Sequence, residues 1–351
     1  MKFFKNSHEN SSLDSRKPRK DFIYLIYAPN LVYWSAGVQV LHKLKSGIED
    51  AGYETFLINH DPINFKKKLE MFRTIKALNK RDNKVLVAIY PETIIGNPIG
   101  VNDQIRWLLN TPGLLGGLTK FHNETVWAYS KLLSEEYYRN TKIEPNVLFI
   151  PGLDLSEFDL LTSKLDQVKK KDMEIVYAQK FRALGGLPDI RSKGFFEIIR
   201  FGLCATSRFE TLKVLKEAKS LHAYENSTII TEAQLLGIPV YCHENPGFSF
   251  LIAKHELGDE GVSWSQSISP KPNPQLIRRR LEFHEKNYKI QIKKLIEEYQ
   301  SQDKFDVDSK ISLNPFTLSF EHKFLRFLTL FKTKGPSIAF RFLRIYFERL
   351  R

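Results

Sequence analysis

Short apolar runs alternate with amphipathic helical segments through the first 150 residues of the chain. Between the first two runs, apolar residues recur every three or four positions, and Gly52 follows as a helix stop. Parallel strands need helical crossovers between them, so this alternation predicts βαβ units and a parallel sheet. Five runs have the composition of buried strands: residues 22–28, 53–59, 85–90, 125–130 and 146–151.

The same alternation restarts after a polar, lysine-rich segment at residues 162–174. We therefore predict an α/β protein with two Rossmann-like, doubly wound domains that face a cleft, since ligands bind outside the carboxyl ends of parallel strands. The predicted parts are a disordered basic arm (1–20), a first domain (21–160), a linker (161–173), a second domain (174–268) and a helical, basic amphipathic tail (269–351).

The net charge of +13 is concentrated at the two ends of the 351-residue chain. This distribution favours electrostatic attachments at the ends over a nucleic-acid groove through the fold. The N-terminus has no apolar core typical of a signal peptide, and two cysteines are too few for a disulfide framework. We therefore expect a cytoplasmic protein. We also expect no metal, because Asp306 and Asp308 have a ligand-like spacing but do not follow a strand.

Two glutamates flank a predicted helix start in the segment 221–241, directly after an apolar strand. If Thr228 caps this helix, Glu232 lies one turn above the cap, and Glu225 stays at the strand end. The N–H groups of the helix start attract phosphate, and carboxylates accept hydroxyl hydrogen bonds, so the pattern indicates a sugar nucleotide. The alternative is that Glu232 only favours the first helical turn and Glu225 is solvated.

Three segments resemble the GT-B glycosyltransferases. "YENSTIITEAQLLGIPV" (224–240) resembles their donor-sugar signature, "IPGLDLSEF" (150–158) the end of their first domain, and "AGVQVLHKLKSGIEDAGYE" (36–54) their glycine-led first helix. The match is incomplete. Six residues separate the two glutamates where seven are commoner, and Asn226 and Ser227 replace the usual Gly-Phe-Gly.

The resemblance implies a glycosyltransferase of bacterial surface-polysaccharide type. Such an enzyme transfers a hexosyl or deoxyhexosyl group from a nucleoside-diphosphate donor to a glycan or lipid-linked acceptor, without metal or cofactor. Lys180 would neutralise the donor diphosphate and Glu225 would face the donor sugar. Glu232 would hold the ribose. The other implied donor-site residues are Gly37, Lys193, Asn226, Ser227 and Thr228.

Three further residues are candidates for the acceptor side of the cleft. Glu92 follows the strand 85–90 and could orient a hydroxyl, and Arg106 could meet a phosphate. The alternative for this segment is two turns around a capped helix, with Trp107 in the core. His122 could reach the cleft, although a lone histidine near a strand is more often structural.

Aromatic and basic residues alternate in the last segment of the chain, residues 338–351. This pattern is typical of an interfacial helix on an anionic membrane, where a lipid-linked acceptor would be found. The alternative is a helix that crosses back to pack on the first domain. Two other classes of function also stay open: a non-catalytic nucleotide-sugar-binding or scaffold protein, and a basic nucleic-acid-binding protein.

Overall fold

The computed structural model describes most of both predicted domains. Lys193, Asp306, Asp308, the predicted arm 1–20 and most of the segment 338–351 lie outside the described residues. Predictions for them stay predictions. The described residues are 21–32, 35–59, 73–74, 77–78, 84–165, 167–189, 195–199, 206–302, 305, 327–328, 330–332 and 335–340.

The first sheet contains six parallel strands in the order β2-β1-β3-β4-β5-β6. Its central strands are buried on both faces, which explains why they consist of continuous apolar runs. The prediction of five strands here is confirmed, and β4 is a sixth that the sequence did not reveal. The strands are β1 (Asp21–Ala28), β2 (Glu54–Asn59), β3 (Lys84–Pro91), β4 (Asp103–Leu108), β5 (Thr125–Ala128) and β6 (Asn146–Val147).

The second sheet contains five parallel strands in the order β11-β10-β9-β7-β8. Two parallel sheets in series, with helices between their strands, confirm the predicted two-domain α/β architecture. The strands are β7 (Glu174–Tyr177), β8 (Phe195–Glu197), β9 (Ser220–Ala223), β10 (Val240–Cys242) and β11 (Val262–Ser263). The helices that concern us are α1 (Ala36–Asp50), α2 (Lys131–Thr141), α3 (Leu155–Thr162), α4 (Gln179–Ala183), α5 (Arg208–Glu217), α6 (Thr228–Leu235), α7 (Lys254–Leu257) and α8 (Pro274–Gln300).

The chain enters the second domain earlier than predicted. Phe158 on α3 and Leu165 in the following 3₁₀ turn are buried in the core of the second domain. Residues 155–165 therefore belong to that core, and they are neither the end of the first domain nor a free linker. Leu155 and Leu161 of the same segment also pack against that core.

Helix α8 connects the two domains. Ile277 and Leu281 near its start are buried in the second core, whereas Tyr288, Ile292 and Ile296 are buried in the first. This part of the predicted tail is therefore integral to the fold. Within the described residues, no helix has both the length and the apolar character needed to cross a bilayer.

Candidate functional site between the two domains

A small, partly open cavity lies between the carboxyl ends of the two sheets. Two of its lining residues come from the loop after β4 in the first domain, and the others come from α4 and from loops of the second. Open parallel sheets bind ligands at this edge, so the cavity lies where the fold predicts a site. Its walls are formed by Asn110, Leu114, Lys180, Phe181, Leu184, Tyr224, Glu225, Asn226, Asn245 and Gly247.

Lys180 and Glu225 are brought together by neighbouring strands β7 and β9. The Glu225 side chain is buried, and its Oε2 accepts the backbone N–H groups of Lys180 and of Phe181, the latter at 3.1 Å. Glu225 thereby caps α4 through a tertiary contact and fixes the start of the Lys180 side chain. Lys180 Nζ lies 3.8 Å from Glu225 Oε1 and donates to the carbonyl oxygen of Asn226 at 2.7 Å.

Asn226 and Ser227 shape the turn that leads into α6. Asn226 Nδ2 donates to the Phe250 carbonyl, and its Oδ1 accepts the Ile252 N–H, each at 3.0 Å. The amide therefore ties this turn to the loop 250–252. Ser227, and not the predicted Thr228, is the N-cap, since its side chain accepts the N–H of Ile229. Thr228 is the first residue of the helix.

The starts of α1 and α6 converge on Gly152, one from each domain. A Cβ atom on Gly152 would lie 3.0 Å from Ala36 Cβ and 3.5 Å from Thr228 Cγ2. Neither helix has an acidic residue in its first turn, so both present their partial positive charge unopposed by a carboxylate there. Gly37 lies at the start of α1, where a Cβ would be 3.6 Å from Leu109, an ordinary contact. No contact within the described chain requires glycine at position 37.

Glu232 is fully buried in this structure, and the ribose contact predicted for it stays a prediction. Its carboxylate forms an ion pair with Arg208, the first residue of α5. The Arg208 Nε also lies 3.9 Å from Glu157 on α3. A carboxylate in a low-dielectric interior needs a cationic partner, and here the chain itself supplies it. The fold thus uses Glu232 to join three helices of the second domain.

Arg106 is also buried, so it does not meet a phosphate in the cleft. Its guanidinium makes two bonds to the Glu124 carboxylate and bonds to three backbone carbonyl oxygens. It also stacks near the rings of Tyr90 and Phe121. These contacts occupy the donors and let a charged side chain sit within β4, where a strand was not expected.

Glu92 and His122 are likewise not cleft residues in this structure. Glu92 is buried, and its Oε2 accepts the N–H of Leu109 at 3.0 Å, which links the loops after β3 and β4. His122 is exposed just before β5, at the amino edge of the sheet. The cavity is at the carboxyl edge, so His122 faces away from it. The three predicted acceptor-side residues are therefore structural or remote.

Asn110 and Leu114 are the first-domain residues that the structure brings to the site instead. Asn110 follows β4 and is largely buried, and its Oδ1 accepts the N–H of Thr111. Leu114 lies against Gly247 of the second domain, where a Cβ would approach it to 2.6 Å. The segment "NTPGLLGG" directly after a strand would have indicated a loop at the carboxyl edge of the sheet. It was not interpreted in this way because β4 was not recognised as a strand.

Two lining residues of the second domain, Phe181 and Tyr224, belong to an aromatic stack. Tyr224 lies between Phe181 and His243, with ring centroids 5.2 and 4.2 Å apart. Burial and the neighbouring His222 lower the pKa of His243 to about 4, and burial raises the pKa of Tyr224 to about 12. Both rings are therefore neutral near pH 7, and among the described lining residues Lys180 carries the positive charge.

The described residues contain no group of three or more His, Cys, Asp or Glu side chains placed to hold a metal ion. The polar groups of the lining residues are backbone groups, amides, one ammonium, one carboxylate and the Tyr224 phenol. This set suits hydrogen bonding to an anionic or polyhydroxyl ligand.

No protein-family model matches the chain, and no curated protein sequence does. Distantly similar solved structures include UDP-GlcNAc 2-epimerase from Methanocaldococcus jannaschii, at a TM-score of 0.35 and 9% identity, covering 88% of this chain and 99% of that one. Another is the glycosyltransferase SnogD from Streptomyces nogalater, at a TM-score of 0.33 and 11% identity, covering 79% of this chain and 95% of that one. A third is Arabidopsis thaliana UGT89C1 complexed with UDP-L-rhamnose, at a TM-score of 0.34 and 11% identity, covering 81% of this chain and 95% of that one. These likenesses are too remote to assign an activity, so we base function on the residues of the cavity.

Proposed function

We propose that the chain is a glycosyltransferase that moves a sugar from a nucleoside-diphosphate donor to an acceptor in the interdomain cavity. One observation carries the proposal. The Lys180 ammonium and the start of α6 lie together at the carboxyl edge of the second sheet, beside the start of α1 from the first. Helix starts and a lysine are a favourable environment for a diphosphate.

In this proposal Lys180 acts on the leaving group. Negative charge grows on the diphosphate as the glycosidic bond breaks, so a fixed ammonium stabilises the transition state more than the ground state. Lys180 Nζ uses one of its three N–H donors on the Asn226 carbonyl, and the others can reach a ligand. Glu225 positions Lys180 by capping α4, and its place at the cavity wall also suits contact with the donor sugar.

We further propose that the acceptor is a glycan or a lipid-linked glycan and that transfer needs no metal. The acceptor would enter from the side of Asn110, since that residue is the first-domain polar group at the cavity. The lipid-linked acceptor is favoured by the basic, aromatic segment 338–351, which would bring the cytoplasmic enzyme to a membrane surface.

A panel of nucleoside-diphosphate sugars tests the proposal by thermal stabilisation and then by turnover with glycan acceptors. We expect one donor class to raise Tm, and Lys180→Ala to lower kcat more than it raises KM. Lys219→Ala is the matched control, because Lys219 precedes β9 at the opposite edge of the same sheet. A chelator should leave turnover unchanged.

Each competing function predicts a different result from the same experiments. Stabilisation by a donor without turnover of any acceptor would favour a non-catalytic binding protein. Steeply salt-dependent binding to DNA or RNA, with no response to nucleotides, would favour the nucleic-acid alternative. Loss of turnover with a chelator would contradict the metal-independent mechanism.

A further inference from the structure

The outer face of α8 carries a stripe of basic and apolar side chains. Arg279, Phe283, Lys286, Ile290 and Lys293 follow one another at spacings of four, three, four and three residues, which places them on one side of the helix. Phe283 is 60% exposed and Ile290 67% exposed. The opposite side of α8 is buried in the two domain cores, so the stripe is the side that the fold leaves to other contacts.

The charges of this stripe are not neutralised by the fold. Arg279, Lys286 and Lys293 form no ion pair with another described residue, whereas their neighbour Lys289 pairs with Asp50 at 2.6 Å. Lys294 borders the stripe but pairs with Glu298 at 3.7 Å, so it adds no unpaired charge. Other basic residues of α8 pair with both domains, since Arg278 and Arg280 bond Asp159 and Glu260 of the second. The basic residues of the stripe are thus the ones that form no ion pair with the described residues.

The combination of two protruding apolar side chains and unpaired basic residues fits one kind of surface. Moving exposed Phe and Ile side chains out of water is favourable, and an interfacial helix does this by placing them at the boundary of headgroups and acyl chains. The basic residues gain from anionic headgroups at the same time. A nucleic acid would satisfy the basic residues, but a duplex offers the two apolar side chains no apolar surface.

We propose that the outer face of α8 is a docking surface for an anionic membrane. Phe283 and Ile290 lie about 10 Å apart along the axis at 1.5 Å per residue, so both reach the bilayer only if α8 lies parallel to it. Because α8 joins both domains, this contact holds the two domains at a fixed orientation to the lipid. The proposal concerns different residues from the segment 338–351 and is independent of the proposed enzymatic activity.

Co-sedimentation of the full chain with vesicles tests the proposal. The vesicles are mixed phosphatidylcholine and phosphatidylglycerol, compared with pure phosphatidylcholine. The test variant Phe283→Asp/Ile290→Asp should bind the anionic vesicles at least tenfold more weakly than the wild-type chain. Leu160→Asp/Leu187→Asp makes the same chemical change at two apolar residues that are 62% and 78% exposed elsewhere, and it should bind as the wild type does.

A charge-reversal pair separates the basic contribution from the apolar one. Lys286→Glu/Lys293→Glu should lower binding to anionic vesicles, whereas Lys164→Glu/Lys169→Glu, on the exposed surface after α3, should change it less. Unchanged urea midpoints establish that all four variants fold. Equal vesicle binding by the wild type and Phe283→Asp/Ile290→Asp would overturn the proposal. So would failure of the wild type to bind anionic vesicles, or displacement from them by RNA that the wild type binds more tightly.

Discussion

Replacing Glu232 by alanine distinguishes a structural carboxylate from a ligand-binding one. The Glu232 side chain has no exposed surface, and its partner Arg208 is 12% exposed. The substitution would leave a guanidinium in the interior with only Glu157, 45% exposed and 3.9 Å from Arg208 Nε, to compensate. Removing one partner of a buried pair costs about 3–5 kcal/mol, and a partly exposed ion pair returns about 1 kcal/mol or less. We expect Glu232→Ala to lower the free energy of unfolding by about 3 kcal/mol.

Urea unfolding measured by circular dichroism gives this free energy, and two companion variants identify its origin. Glu232→Gln keeps the shape and an acceptor for Arg208, so we expect a smaller loss of about 1–2 kcal/mol. In Arg208→Met/Glu232→Met neither charge remains, so stability should return to within about 1 kcal/mol of the wild type. Glu157→Ala serves as the surface control.

The reasoning fails if Glu232→Ala unfolds within about 0.5 kcal/mol of the wild type, the range expected for a surface substitution. If Glu232→Ala keeps the stability of the wild type but binds nucleotide tenfold more weakly, Glu232 contacts the ligand. If the double variant is as unstable as the single one, the cost arises from lost packing and not from an unpaired charge.

Three other predictions test the domain contacts and the aromatic wall. Gly152→Val should push Ala36 and Thr228 apart and weaken donor binding at least tenfold, measured by calorimetry with Gly152→Ala as the smaller step. Gly47→Leu should lower the free energy of unfolding by about 1–3 kcal/mol in urea, because α8 packs Ile292 on Gly47. His243 has a folded-state pKa of about 4, below its unfolded value of 6.5, so the unfolded state binds more protons in this window. The contribution of His243 to the free energy of unfolding should therefore be complete above pH 6.5 and be lost as the pH falls to 4. We expect a loss of about 2 kcal/mol once solvent screening is taken into account. In urea unfolding at a series of pH values, His243→Gln should show much less of this pH dependence.

The strands that the sequence revealed are those with an uninterrupted apolar run. In β1 and β3, most residues are apolar because both faces of the sheet are covered. Strand β4 was missed because Arg106 interrupts its apolar residues. The compensating Glu124 lies 18 positions further along the chain, and pattern reading does not connect the two.

Helix boundaries were predictable to within about one residue where a cap and a glycine mark them. The start of α6 was assigned to Thr228, whereas Ser227 adopts the extended backbone of the cap. Adjacent hydroxyl side chains carry the same capping signal, so local sequence does not separate them. The end of α6 is marked more clearly, since Gly237 follows it with a φ of +69°.

The sequence placed three carboxylates near strand ends but did not reveal which donors of the chain they bond. Glu92, Glu225 and Glu232 were all taken as ligand-facing, yet each accepts a bond from a distant part of the chain: Leu109 N–H, the N–H groups of α4, and Arg208. A spacing in the sequence shows that a carboxylate lies near a strand end. Whether it turns outward depends on which donors the tertiary fold brings within reach.

The internal bonding of these carboxylates determines which polar groups of the cavity can bind a ligand. Once carboxylates are bonded within the fold, the polar groups that can still bind a ligand are mainly donors: Lys180 Nζ, the starts of α1 and α6, and the Asn110 amide. Hydrogen-bond donors bind a diphosphate more strongly than sugar hydroxyls, because the diphosphate is charged and the hydroxyls are neutral. Affinity should therefore depend mainly on the diphosphate, and a nucleoside monophosphate should bind much more weakly than the matching diphosphate. Similar affinities for the two in calorimetry would locate recognition in the nucleoside and would contradict this account of the site.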